Sequence, residues 1–389
     1  MKIIVKKFGG TSLATVENIA GIAEKISCEA GKGYHFVLVV SAMGKTTDEF
    51  CELARKVNPQ PCLRELDMLL TAGERISMSL MSLALQKCGL DSISFTGSQS
   101  GIITDTSHGN AEITDVRSFR ILEELNKNKI VIVAGFQGVS SEKEVTTLGR
   151  GGSDTTAVAL AGYLHAEKCE IYTDVDGVFT ADPNIVENAF KTDLLSWTEM
   201  RTLAYFGASV LHPRAVEFAS HYGIPIEVKS SFKFNKGTEI RGKSDMEKAL
   251  VKAIAHLEDV SGYKIKNAKR DFLSFLHKFR KSGNEILSYR IEENYIYIEI
   301  KTEYKDRFEK FADDLILSDY SRFFMITLAG DHLKNDYCLT EIILKKCSEN
   351  NIEINKIINE SNSIRIYVDL KDGKKALKLI HNTVFSKQC

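Results

Sequence analysis

The chain of 389 residues has no apolar run of the roughly 18 residues that a membrane-spanning helix needs. It has almost no charge imbalance either: 51 basic against 52 acidic side chains give a formal net charge of −1. Such a balance supplies no general electrostatic reason to bind nucleic acid or an anionic lipid surface. None of the eight cysteines forms a Cys-x-x-Cys pair and no histidine cluster accompanies them, which speaks against a zinc site or a disulfide framework. Free thiols in a reducing cytoplasm are expected instead. The opening Met1-Lys2-Ile3-Ile4-Val5-Lys6-Lys7 is not read as a signal peptide, because its apolar run is too short and no small-residue cleavage site follows. Low-complexity segments are missing as well.

What is there is unevenly distributed. All five prolines and 20 of the 26 glycines precede residue 230. The first 230 residues carry 22 basic and 28 acidic groups, a net of −6, and the remainder carry 29 and 24, a net of +5. Two regions are therefore expected, 1–230 and 231–389, with the boundary near the polar stretch Ser230–Gly237. In the first region, Ile3-Ile4-Val5, Phe36–Val40, Ile130–Ala134 and Glu170–Thr173 are short runs apolar on both faces, as buried parallel strands require. A helix-like pattern over 13–29 follows the first of them. Strand, glycine-rich turn, helix and strand make the βαβ pattern of an α/β domain with a mainly parallel sheet. The second region repeats a βαββα order approximately, over about 250–320 and 321–389. Two such ferredoxin-like modules, in tandem or interleaved, suit small-ligand binding, pairing with another chain, or a purely structural role.

Two glycine-rich turns carry the chemistry. Lys7-Phe8-Gly9-Gly10-Thr11-Ser12 stands between the first strand and the first helix, where glycines admit a close ligand and a helix start offers unpaired N–H groups. The spacing is not that of a Walker A loop, and a simple tight turn is the competing reading. Thr146–Thr156 contains Gly149-Arg150-Gly151-Gly152-Ser153-Asp154 and opens a helix running to about Leu164. Arg150 can grip a carboxylate through two parallel hydrogen bonds, whereas Asp154 could merely cap its helix. Two such turns suggest a cleft for two anionic ligands. Tyr172–Pro183 is rich in turn-forming aspartates and lacks the ligand pattern of a calcium loop; it reads as a turn or as a nucleotide-edge loop. Glu74, in Leu70–Arg75, suits a substrate ammonium or the dipole of its own helix.

Taken together, these segments resemble the aspartate kinases, within the amino-acid kinase family. The resemblance is carried by Lys7–Ser12, Val40–Asp48, Leu70–Arg75, Ser94–Gln99, Val133–Gly138, the turn around Arg150, Ile171–Pro183 and Leu211-His212-Pro213-Arg214-Ala215. It covers about residues 1–230, while the second region matches the family's paired ACT modules by pattern only. The resemblance implies an αβα sandwich catalytic domain, a homodimer, and transfer of the ATP γ-phosphoryl group to the β-carboxylate of L-aspartate, the first step toward lysine, threonine, methionine and diaminopimelate. It implies that Lys7, Phe8, Gly9 and Gly10 hold the phosphates with Ser41 nearby, and that Thr173, Asp174, Phe179, Thr180, Ala181, Asp182, Pro183 and Asn184 flank the nucleotide. Thr47 and Glu74 would contact aspartate, Arg150 would clamp its carboxylate with Gly151, Gly152 and Ser153 lining the turn, and Lys7 and Asp154 would be catalytic. ATP is the co-substrate, and no protein metal cage is expected, since Mg²⁺ keeps to nucleotide oxygens and water.

The chemistry agrees. The acceptor carboxylate is already ionised near neutral pH, with a reference pKa of about 3.9, so no general base is needed. Catalysis should rest on bringing two anions into line and neutralising charge. The chain departs from the family's pattern in two places. Ser209 stands in Gly207–Leu211, where a nucleotide-binding lysine is common, so either another cation substitutes or ATP binds more weakly. The turns Lys264–Asp271 and Gly330–Asp336 lack the familiar Pro-Gly, which bears on feedback by lysine or threonine. Two other readings stay open at this stage: a kinase of glutamate, N-acetylglutamate or carbamate, and an inactive amino-acid sensor, against which the intact Lys7, Glu74, Arg150 and Asp154 set argues.

Overall fold

The computed structural model describes residues 1–208, 210–233, 235–242, 250–266, 269–281, 284–312 and 317–386. By contact these fall into two units, 1–178 with 193–197 and 210–242, and 179–192 with 198–208 and 250–386. The division differs from a cut at residue 230. Ile226–Ser230 pairs antiparallel with Thr238–Ile240, so the polar stretch between them is a hairpin connection inside the first unit. Conversely, Phe179–Thr192 and 198–208 fold with the second unit.

The first unit is built on an eight-stranded sheet. Its order is Leu194–Leu195, Thr238–Ile240, Ile226–Ser230, Lys168–Thr173, Ile3–Phe8, His35–Val40, Ile130–Ala134, Ser92–Phe95. All neighbours run parallel except the hairpin pair. Ile130–Ala134 is buried at every residue, which is why its sequence does not alternate. Helices cover both faces. Val16–Glu29 and Ala72–Lys87 pack over Ile4, Phe8, Phe36, Leu38 and Val40. Gly152–Tyr163 lies on the other face, buried at every residue but its last, and its run of small side chains permits that close approach. Side chains alternate across a strand, so consecutive lysines diverge. Lys6 goes beneath the first helix to Glu29 and Glu170, at 2.8 and 2.7 Å. Lys7 goes to the side of Gly152–Tyr163. A small second sheet, Ile113–Val116, Ile102–Thr104, Gln137–Ser140, Val145–Thr147, delivers the chain into the turn at Gly149.

The expected first helix starts later than its pattern suggests. Thr11–Leu13 is a 3-10 turn, and the α-helix begins at Val16, where Thr15 Oγ1 accepts from Asn18 N–H at 3.2 Å.

The second unit is one six-stranded antiparallel sheet made of two interleaved modules. Leu250–Lys266 and Leu317–Asp331 run the length of both and pair with each other through several bulges. Val260–Lys266 and Leu317–Phe323 join Tyr295–Lys301 and Ser288–Ile291 in one module, with Lys269–Lys281 and Lys305–Phe311 as its helices. Leu250–Leu257 and Phe324–Asp331 join Ser363–Val368 and Ile354–Glu360 in the other, with Tyr337–Glu349 and Gly373–Phe385. Each has its own core, one rich in phenylalanine (Phe272, Phe275, Phe279, Phe308) and one aliphatic. The seven described cysteines are free, and no helix among the described residues is long and apolar enough to cross a membrane.

Candidate active site

The strand Ile3–Phe8 lies where the sheet order reverses, with strands from later in the chain on either side of it, and open parallel sheets bind ligands beyond the carboxyl ends of strands at such a point. Three of these ends converge here. Ile3–Phe8 runs into Gly9-Gly10, His35–Val40 into Ser41-Ala42, and Ile130–Ala134 into Gly135-Phe136. Backbone bonds tie the first two together: Gly44 N–H donates to Gly10 carbonyl at 2.9 Å, and Ser41 N–H to Phe8 carbonyl at 3.2 Å. A cavity of about 320 Å³ opens above them, lined by Lys7, Gly10, Ser41, Ala42, Gly44, Thr47, Glu74, Phe136, Gly149, Arg150, Gly151, Gly152, Ser153 and Asp154.

Three local arrangements give this cavity its electrostatics. Lys7 Nζ meets Asp154 Oδ1 at 2.6 Å, and both side chains are largely shielded from solvent. The helix Gly152–Tyr163 presents its amino end beside them, and no side chain caps it; Gly152 N–H is taken by the Gly149 carbonyl at 3.1 Å, which leaves the N–H groups of Ser153 and Asp154 and the helix dipole to meet an anion. Its cap residue, Gly151, is left-handed at φ +65°, as is Gly149 at φ +74°. A Cβ on Gly151 would lie 2.2 Å from His212 Cβ, so glycine is required there for both backbone and space. Thirdly, Glu74 sits in the first turn of Ala72–Lys87, buried, with Oε1 accepting from Ala42 N–H at 3.1 Å. Its other oxygen is buried without a hydrogen-bond partner. Burial pushes its carboxyl up to about 7, against the opposing pull of the Ala42 N–H.

The structure thus brings together Lys7, Gly10, Ser41, Thr47, Glu74, Arg150, Gly151, Gly152, Ser153 and Asp154. Gly9 is adjacent, its N–H donating to Tyr172 carbonyl at 3.2 Å. Other expected residues lie elsewhere. The Phe8 side chain is fully buried and stacks on Tyr172 at 4.8 Å, so it belongs to the core and can offer a ligand only its backbone. Thr173 and Asp174 end the neighbouring strand but do not line the cavity, and Thr173 Oγ1 donates to Asp174 Oδ1 at 3.0 Å. Phe179–Asn184 belongs to the second unit. There Thr180 Oγ1 bonds His381 Nε2 at 2.9 Å and Ala181 packs with Val251 and Ile254, so these two side chains are engaged in that unit's core. Ser209 lies outside the described residues.

Ala42, Gly44, Phe136 and Gly149 were not anticipated as walls. Ala42 acts through its backbone, which residue type does not reveal. Phe136 is held at φ +68°, a costly conformation for a bulky residue, by its N–H to Thr156 Oγ1 at 3.1 Å and its carbonyl accepting from Leu148 N–H at 2.9 Å.

Comparison with known proteins fits this geometry. The model of the amino acid kinase family matches residues 2–230. Aspartokinase 2 of Bacillus subtilis (strain 168) is 41% identical over 404 aligned residues, covering 98% of this chain and 97% of that protein. The chain belongs to the amino acid kinase family, among its aspartokinases. The aspartokinase of Bacillus sp. (strain MGA3) is 53% identical over 67% of this enzyme, an alignment that spans 63% of that relative. The crystal structure of E. coli aspartokinase III in complex with aspartate and ADP superposes with a TM-score of 0.84 over 99% of this chain and 100% of that one, a likeness of fold at 21% identity.

Proposed function

We propose that this cavity is where the enzyme, as an aspartokinase, transfers the γ-phosphoryl group of ATP to the β-carboxylate of L-aspartate, giving 4-phospho-L-aspartate. One observation carries the placement: Lys7, Thr47, Glu74, Arg150 and Asp154, from four separated stretches of chain, wall a single cavity. The partnerless oxygen of Glu74 receives the substrate ammonium, and that contact restores the anion which burial disfavours. Arg150 takes the α-carboxylate, and Thr47 and the backbone of Gly151, Gly152 and Ser153 complete the amino-acid side. Lys7 and the uncapped helix end neutralise the phosphates, with Gly9, Gly10 and Ser41 admitting them closely. Asp154 holds the Lys7 ammonium in place across 2.6 Å and removes no proton, since the nucleophile is already ionised. Thr173 and Asp174 face the nucleotide at the strand edge.

Glu74 and Asp154 are the carboxylates of the wall, and Asp154 is already paired with Lys7. Among the described residues no three His, Cys, Asp or Glu side chains gather into a metal cage. This donor set suits Mg²⁺ held by ATP oxygens and water. Bound so, the ion would neutralise charge on the phosphate oxygens. To the interleaved modules we assign pairing with a second copy and binding of an effector such as lysine or threonine. Sedimentation of the enzyme as a monomer at assay concentration, with rates indifferent to both amino acids, would refute that assignment.

The test of the site is a hydroxamate-coupled assay with ATP and a panel of acids on the wild type and Lys7→Ala. Turnover with aspartate that collapses in the variant is expected. Near-normal turnover in Lys7→Ala would move the chemistry elsewhere.

A further inference from the structure

The motif Leu211-His212-Pro213-Arg214 has no part in the cavity wall, yet it bears on the turn that carries Arg150. His212 caps the helix Pro213–Tyr222, its Nδ1 accepting from Arg214 N–H at 3.4 Å, and its ring carbon chain abuts Gly151. The Arg214 guanidinium reaches back along that contact. Its Nη1 donates to Leu148 carbonyl at 2.7 Å and to Asn110 Oδ1 at 3.4 Å, and its Nη2 donates to Ala111 carbonyl at 2.8 Å. Leu148 is the residue before Gly149, so fixing its carbonyl fixes the peptide plane from which the left-handed Gly149 and the Arg150 backbone depart. The loop on the other side of the clamp is itself anchored. Ala111 N–H donates to Thr147 carbonyl at 2.8 Å, while buried Asp67 accepts from Thr147 Oγ1, from Gly109 N–H and pairs with His108 Nδ1. Asn110 Oδ1 would lie 2.4 Å from a Cβ on Gly149, so the loop packs directly against the turn.

We infer that Arg214 is a positioning residue for aspartate: it bridges the carbonyl oxygens of Leu148 and Ala111 and thereby sets the turn from which Arg150 meets the substrate. It touches no substrate itself. This rests on the reading of Arg150 as the carboxylate clamp. Two carbonyls held by two different nitrogens of one planar group is a task that a lysine ammonium performs poorly.

The experiment is steady-state kinetics on the full-length chain, varying each substrate with the other saturating. It compares wild type, Arg150→Lys, Arg214→Met, Arg214→Lys and the double variant Arg150→Lys/Arg214→Met, with thermal unfolding recorded beside each. Arg214→Met should raise KM for aspartate about tenfold, from loss of charged hydrogen bonds that order the turn. KM for ATP should change less than about twofold, because the phosphate-side contacts survive. Arg214→Lys should give about threefold, a partial rescue. The double variant should raise KM for aspartate by less than the product of the single effects, since the two residues act through one contact. If Arg150→Lys raises KM for aspartate but Arg214→Met does not, or raises both KM values equally, or the effects multiply, Arg214 is only structural and the inference falls alone. An unchanged KM in Arg150→Lys would remove the clamp and this inference with it. Should Arg214→Met fail to fold, Arg214→Lys decides on the same criteria.

Discussion

The two glycine turns look alike in sequence and are not alike in the molecule. Each follows apolar strand-like sequence and each was expected to open a helix onto an anion. The turn at Gly149–Gly152 opens directly into a helix: two left-handed glycines lead into twelve residues with no side-chain cap. The turn at Gly9-Gly10 does not. Gly10 has ordinary right-handed backbone angles, a three-residue 3-10 turn follows, and its carbonyl is taken by Leu13 and Gly44 N–H groups. Its contribution is Lys7 and a close backbone surface, whereas the other turn supplies a field and a guanidinium. One cavity thus combines two kinds of charge: an ammonium held by Asp154, and helix-end N–H groups fixed by the backbone.

That contrast can be broken in several ways. Lys7→Ala should have the largest effect, lowering kcat about 10²-fold or more through lost charge stabilisation. A kcat within a few-fold of wild type would show that the first turn needs no cation. Gly151→Ala should cost about 1–3 kcal/mol in stability from the left-handed backbone alone, before the overlap with His212 is counted. Denaturant melts should show Gly10→Ala losing less, since its Cβ would meet only Ala42 and Gly44 carbonyls at 3.0 and 3.1 Å on an unstrained backbone. Equal losses would erase the distinction between the turns. Arg150→Lys should raise KM for aspartate about tenfold while kcat changes little, because the bidentate fork is lost and the charge kept.

The smallest effect is a pH dependence on the amino-acid side. Glu74 is protonated in the free enzyme below about pH 7 and ionised above it. Only the ionised form pairs with an ammonium, so kcat/KM for aspartate should fall about tenfold per pH unit below that point. Glu74→Gln should flatten this limb at a lower plateau. Persistence of the same limb in the variant would assign it to another group. For folding the sign is opposite. The native carboxyl sits above its ordinary value of 4.5, so its contribution to stability is present below that value and is lost as pH rises through about 7.

Much of this was legible because it is local. Continuous apolar runs announced the buried parallel strands, and the repeated βαββα order announced the two modules. Gly149–Asp154 read as a helix mouth because glycine tolerates the left-handed angles found there. What was not legible is which way a side chain faces and which distant residues it meets. Phe8 stands beside Lys7 in the motif, but alternation across the strand sends it to the opposite face and into the core. Thr180 and Ala181 follow the strand Lys168–Thr173 closely, yet their partners His381 and Val251 lie far along the chain, where no periodicity points. The split of each module across two long shared strands was equally invisible, because strand pairing is a choice among distant partners.

The amino-acid sequence was enough for the α/β class and the paired modules, which depend on residue type, periodicity and spacing along the chain, and its motifs carried the resemblance that pointed to most of the charged groups of the cavity. Tertiary structure decided which of the two glycine turns is a true helix mouth, which oxygen of Glu74 is left without a partner, and that Arg214 braces the turn bearing Arg150. Hydrogen-bond complements and desolvation are summed over neighbours brought from remote parts of the chain, and only the folded packing says who those neighbours are.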